Sequence, residues 1–165
     1  MGAMAPDAKS DDVAALAAYG QTLADGIEAA LPGWVERGVE RLLVAYRGSV
    51  TSDERAAAAA AGVAAQAEVG PQVRELLALD PDEQRAGPLA LLRAAVSYPT
   101  SVLRDAGVPP VVRDEFAERQ FPDDVYDLMP AAFGDLDPDL QETGLVWGAA
   151  KAHVHLSRRR RDGQR

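Results

Sequence analysis

The sequence predicts an all-α fold: a single compact helical domain of about five to seven helices, with a Pro-punctuated second half and a basic C-terminal tail. Two observations predict it. Across residues 11–79, apolar residues recur every three or four positions in alanine-rich segments, as one face of a helix requires. No stretch with the strict apolar and polar alternation of a half-buried strand competes with this pattern. The 165 residues, 47% of them hydrophobic, suffice for one buried core.

The first predicted helix begins near Ser10 or Asp11, either of which can cap it. A break is expected at Pro32-Gly33, because proline cannot donate a helical hydrogen bond. A second helix then follows and ends at Gly48. The apolar stripes of these two helices are Val13, Leu16, Gly20, Leu23, Ile27, Ala30 and Trp34, and then Val35, Val39, Leu42, Leu43 and Tyr46.

The third predicted helix begins at Ser52 and contains the alanine run 56–61. Alanine has the highest helix propensity but buries little apolar area, so this helix is expected to be peripheral and easily opened. Gly70-Pro71 is expected to kink or end it.

The second half is divided by eight prolines between Pro81 and Pro138, which predict short helices joined by rigid turns. Five of them are expected at first helical positions, where the missing N–H costs nothing. The five prolines are those at 81, 99, 110, 122 and 138.

In the same half, Val112 and Phe116 lie four residues apart and predict a buried helix face.

The last predicted helix runs from Pro138 to about Arg159, with acids at its start and arginines at its end, as the helix dipole favours. Its middle is apolar on nearly every side, which predicts a central helix surrounded by others. Trp147 is therefore expected to be buried, and more so than Trp34, which follows the Pro-Gly pair.

Charge is distributed unevenly along the chain. Residues 1–150 carry about −14, whereas residues 151–165 carry about +5. Guanidinium groups bind carboxylates and phosphates through paired donors, so the arginine run is the predicted partner-binding site. The run consists of Arg158, Arg159, Arg160 and Arg161. The predicted organisation is a flexible N-terminus (1–10), a helical domain (11–157) and a basic flexible tail (158–165).

Residues with catalytic or metal-binding chemistry are few. His153 and His155 are the only histidines and are weak candidates for a metal site. Two residues apart on a helix, their side chains point in different directions, which disfavours binding of one ion by both. Asp135, Asp137 and Asp139 resemble the start of a calcium loop, but Leu140 and Val146 stand where its glycine and glutamate are needed. Carboxylates around Tyr126 form no known catalytic motif, and no cofactor is predicted.

We therefore predict a cytoplasmic interaction or regulatory module without evident catalytic activity, which binds a protein partner or a second copy of itself. Cysteine is absent, and no secretion signal or membrane span is recognisable. The predominance of arginine over lysine is typical of a GC-rich bacterial genome. The alternative is a nucleic-acid- or ribosome-associated accessory protein using Arg158–Arg161, which the acidic body disfavours. A metal-dependent enzyme is the third hypothesis, and a merely solubilising tail also stays open.

Overall fold

In a computed structural model, which describes residues 8–164 and the side chains of residues 11–164, the chain is an all-α single domain, as predicted. This range contains seven α-helices, one 3₁₀ helix and no strand. The α-helices are α1 (Ala8–Arg47), α2 (Ser52–Ala78), α3 (Pro88–Leu91), α4 (Ser97–Asp105), α5 (Glu115–Gln120), α6 (Phe133–Leu136) and α7 (Leu140–Asp162). The 3₁₀ helix, Leu92–Val96, joins α3 to α4.

Helix α1 runs without interruption through Pro32, so the predicted break at Pro32-Gly33 is wrong. A proline inside a helix leaves the carbonyl four residues earlier without its usual N–H donor. Here that carbonyl belongs to Glu28, and the side-chain amide of Gln66 on α2 donates to it at 3.0 Å. The neighbouring helix thus supplies the hydrogen bond that proline removes.

A tight turn folds α2 back along α1. Gly48 has a φ of +81°, a conformation that glycine adopts without a steric penalty. Thr51 then caps α2: its hydroxyl accepts from the backbone N–H of Glu54 at 3.2 Å, and the Glu54 carboxylate accepts from the N–H of Thr51 at 3.0 Å. The predicted start of this helix at Ser52 is confirmed.

Helix α2 packs closely against α1, so the prediction that it is peripheral is wrong. Its buried face consists largely of small residues, among them Ala58, Gly62 and Ala65, which bring the two backbones together. A Cβ added at Gly62 would lie 2.9 Å from the Cα and the carbonyl oxygen of Pro32. An end of the helix at Gly70-Pro71 is not observed, since α2 continues to Ala78.

Helix α1, rather than α7, is the central element, because α2, α4, α6 and α7 all pack against it. Helix α7 runs antiparallel to α1: Leu140 lies against Gly26, and the Trp147 indole lies beside Gly20. The prediction that α7 is surrounded by other helices is wrong, since several of its apolar residues are exposed.

Both tryptophans lie in the core, so the expected difference between them is absent. Trp147 is 6% exposed and Trp34 is 8% exposed. Trp34 was expected to be more accessible because of the helix break before it. Since α1 continues through Pro32, Trp34 keeps its place on the buried stripe.

The second half consists of short helices and turns, as predicted, but two local expectations fail. Pro88 is the proline at a first helical position, whereas none of the five expected prolines occupies one; Pro99, for example, is buried inside α4. Val112 and Phe116 are both exposed, because Val112 precedes α5 in an irregular segment and α5 itself buries no residue.

The predicted domain boundaries stay predictions. Residues 1–7 of the expected flexible N-terminus lie outside the described range, and α1 already begins at Ala8. At the other end, the boundary at residue 158 falls inside α7, which continues to Asp162. Among the described helices, none combines the length and the apolar character that crossing a bilayer requires.

The contact between Gly62 and Pro32 predicts an unusual response to substitution. Gly62→Ala adds a methyl group against a rigid backbone, so we expect a loss of about 1–3 kcal/mol in the free energy of unfolding, despite the higher helix propensity of alanine. Gly148→Ala is the matched control, because its Cβ meets nothing within 4 Å, and it is expected to stabilise by about 1 kcal/mol. Urea unfolding measures both. Equal effects of the two substitutions would contradict the close contact.

Candidate functional site

Helix α7 carries two opposite stripes of residues, each with alternating spacings of three and four. The inner stripe faces α1 and the loop that follows α2. Lys151 in this stripe is half-buried, with its Nζ 5.1 Å from the centroid of the Trp147 ring, and burial lowers its pKa. The inner stripe consists of Leu140, Gly144, Trp147, Lys151, Val154 and Arg158.

Arg158 closes the inner stripe with ion pairs to the loop after α2. Its Nη1 contacts Asp82 Oδ2 at 2.7 Å, and its two terminal nitrogens contact both carboxylate oxygens of Asp80. These hydrogen bonds, first of all those to Asp80, raise the pKa of Arg158, and the Arg158 guanidinium lowers the pKa of Asp80. Arg158 therefore fastens the end of α7 to the end of the α1–α2 hairpin.

The predicted arginine site is thus divided between two environments. Arg158 is engaged within the fold, whereas Arg159, Arg160 and Arg161 are exposed and form no ion pair with any described residue. The four residues do not lie together as one surface patch, because successive residues of a helix point about 100° apart.

The two candidate metal ligands also face different partners. Nε2 of His153 lies 3.2 Å from Asp12 on α1, and Nδ1 of His155 lies 3.5 Å from Asp82. The structure therefore does not bring the two imidazoles together on one ion. Among residues 11–164, no group of three or more potential ligand side chains is placed to hold a metal.

Some of the acids between residues 123 and 142 hold turns. The buried carboxylate of Asp124 accepts from the backbone N–H groups of Leu128 and Met129, both at 2.8 Å. Asp135 accepts in the same way from the N–H groups of Ala131 and Ala132. Tyr126, which lies among these carboxylates in the sequence, is buried and donates its hydroxyl to the backbone carbonyl of Val108 at 2.6 Å.

One cleft was not anticipated from the sequence. It has a volume of about 780 Å³ and lies between α4, the 3₁₀ helix and residues 120–124. The Arg93 guanidinium stacks 4.6 Å above the Phe121 ring, and the buried hydroxyl of Thr100 has no hydrogen-bond partner among the described residues. Arg104 lines the same cleft together with the acids Asp105 and Asp123. The lining of the cleft therefore carries charges of both signs.

The outer stripe of α7 is exposed to solvent, and we call it the outer face. It combines an acid, four apolar residues and a base along one side of a single helix, and all six residues are exposed. Leu145 is 65% exposed and Leu156 is 55% exposed. The outer face consists of Glu142, Leu145, Ala149, Ala152, Leu156 and Arg159.

The prediction of a helix surrounded by others assigned every apolar residue of α7 to the core and so missed the outer face. A signal was nevertheless present. Leu145 and Leu156 lie on the side of the helix opposite to Trp147 and Val154, so the helix carries two apolar stripes instead of one broad stripe. Only the packing on α1 shows which stripe is covered.

No protein-family profile matches the chain, and no curated protein or solved structure shows significant similarity to it. The use of the outer face must therefore be inferred from its geometry and charge.

The Arg158 ion pairs predict a pH-dependent contribution to stability. Arg158→Gln is expected to lower the free energy of unfolding at pH 7 by about 0.5–1 kcal/mol, the upper part of the range for solvent-exposed pairs. Because the folded-state pKa of Asp80 is lowered, this contribution is present at neutral pH and is lost as the pH falls below about 4.

Thermal unfolding of the wild type and of Arg158→Gln between pH 2 and pH 7 measures the effect. Arg160→Gln is the control, because Arg160 is exposed on the same helix and forms no ion pair with the described residues. If both variants lost the same stability, or if the loss from Arg158→Gln persisted at pH 2, the assigned ion pairs would be wrong.

Proposed function

We propose that the protein is an interaction module that binds a protein partner through the outer face of α7. The observation that carries the proposal is the exposure of Leu145 and Leu156 on one side of a helix whose other side is part of the core. Exposed apolar patches on soluble proteins commonly mark interaction sites. Apolar residues at 145, 149, 152 and 156 have the spacing with which a helix inserts into a groove or packs on another helix.

Arg159 belongs to the outer face and extends it beyond its apolar part. Arg160 and Arg161 follow at the same end of α7 and point away from this face, so they add only to the positive charge near it. Cations at the rim of an apolar patch attract an acidic partner surface and favour one orientation of binding. We assign the apolar residues to affinity and the arginines to orientation and association rate.

Binding to nucleic acid or to a ribosome is the second candidate, favoured by three consecutive exposed arginines. Support for it is weaker than for a protein partner, since Arg158 is already paired with Asp80 and Asp82. Three phosphate contacts would give binding that weakens steeply with salt and discriminates little between sequences.

Capture of partners from the source cell distinguishes the two candidates. Leu145→Glu with Leu156→Glu is expected to reduce protein capture at least tenfold, because burying one leucine contributes about 1.5–3 kcal/mol. Replacing Arg159, Arg160 and Arg161 by glutamine is expected to reduce capture less, and mainly at low salt.

Val63→Glu is the control for the leucine variants, because Val63 is an exposed apolar residue on the separate helix α2. Circular dichroism confirms that each variant is folded. Capture that survives both leucine substitutions but disappears with the arginines, or after nuclease treatment, would replace the proposal by the nucleic-acid alternative.

A further inference from the structure

We infer that the outer face of α7 binds the same face of a second copy of this chain, with the two α7 helices antiparallel. The inference rests on the proposed function, since it names the partner of the same surface. Its support is a symmetry in the order of the residues along α7: read from either end, the outer face presents a charge, a leucine, an alanine, an alanine, a leucine and a charge of the opposite sign.

Antiparallel pairing places each residue of the outer face opposite a complementary one. Leu145 meets the partner's Leu156, and Ala149 meets the partner's Ala152. Glu142 meets the partner's Arg159. The two-fold axis passes between residues 150 and 151, so every pair occurs twice, as the isologous interface of a symmetric dimer requires.

The spacing of the outer face suits this kind of packing. Intervals of three, four, three, four and three residues form the heptad seam of a coiled coil, whose average period is 3.5 residues. The two alanines in the middle allow the helix axes to approach to about 8 Å, the short end of the usual range. Along the helices, a leucine pair lies on each side of the alanines, and a charged pair lies at each end of the face.

The charges select the antiparallel orientation. In a parallel pair, Glu142 would face its own copy and Arg159 would face its own copy, and both contacts would be repulsive. Antiparallel pairing turns both into opposite-charge contacts. To fit equally well, an unrelated helix would need a base opposite Glu142, apolar residues opposite the apolar stripe and an acid opposite Arg159. A second copy in antiparallel orientation supplies this arrangement by symmetry.

The small size of the face indicates a dimer that dissociates when the protein is diluted. From residue 142 to residue 159 the helix is about 26 Å long, which is one helix-to-helix contact and lies at the low end of specific interfaces. With so few contacts, loss of the pairing between Leu145 and the partner's Leu156 should weaken association strongly.

Sedimentation equilibrium over a wide range of protein concentrations tests the inference directly. The mass is expected to rise from the monomer value of 17.5 kDa towards twice that value. Leu145→Glu is expected to raise the dimer dissociation constant at least tenfold. Val63→Glu, on α2, is expected to leave it unchanged.

Charge reversal tests the orientation. Glu142→Arg alone and Arg159→Glu alone each create repulsion at both ends of an antiparallel dimer, so each should weaken association several-fold. The double variant restores opposite charges and should restore association. Helix-dipole effects alone predict that the double variant associates more weakly than either single variant. It places a base near the N-terminus of α7 and an acid near its C-terminus, and the helix dipole disfavours both. A double variant weaker than both single variants overturns the inference.

Cross-linking tests the register, and the absence of native cysteine makes introduced thiols unique. A mixture of Leu145→Cys and Leu156→Cys chains should form a disulfide between the two variants, because these positions lie opposite each other. Leu145→Cys alone should not cross-link, since its two copies lie about 16 Å apart along the helices. Cross-linking of Leu145→Cys with itself overturns the antiparallel register.

Three further outcomes overturn the inference. A chain that stays monomeric at every concentration while Leu145→Glu still abolishes capture of another protein refutes the dimer and leaves the proposed function intact. A full-length chain that stays monomeric while a chain without residues 1–7 dimerises means that the N-terminal segment occupies the outer face. If Leu145→Glu changes neither mass nor capture, both the inference and the proposed function fail.

Discussion

The close contact between α1 and α2 is the constraint on which the rest of the structure depends. Gly62 lets the α2 backbone reach Pro32, and Gln66, one turn further along α2, donates to the Glu28 carbonyl that the proline leaves without a donor. Helix α2 therefore supplies both the room and the hydrogen-bond donor that the proline in α1 requires. The result is a rigid antiparallel hairpin whose first helix is long enough for the remaining helices to pack on it.

The position of α7 follows from this hairpin. Helix α1 offers one side to α2 and another to α7, where Gly20 and Gly26 leave room for Trp147 and Leu140. Only one side of α7 is covered, because α6 packs near Gly144 on that same side and the other short helices pack elsewhere. A helix that is apolar on two opposite sides, but covered on one of them, presents the other side to solvent. This is the physical origin of the outer face.

Charge has two structural roles in this acidic protein. Carboxylates in the second half, such as Asp124, hold turns by accepting backbone N–H groups. Others join elements: Glu28 and Asp25 both bind Arg74 between α1 and α2, and Asp80 and Asp82 bind Arg158. Arg159, Arg160 and Arg161 take part in neither role within the described residues, which separates them from Arg158 despite their identical side chains.

The sequence by itself determined the helical class, the start of α2 at Ser52 and most of the buried stripe of α1, because periodicity and caps are local properties of the chain. Only the tertiary structure decided that α1 passes through Pro32, since the compensating donor, Gln66, lies 34 positions further along the chain. It also decided which of the two apolar stripes of α7 is covered and which arginine of the run is paired. These outcomes depend on the side chains that distant segments bring within a few ångströms, and the spacing of residues along one helix does not contain that information.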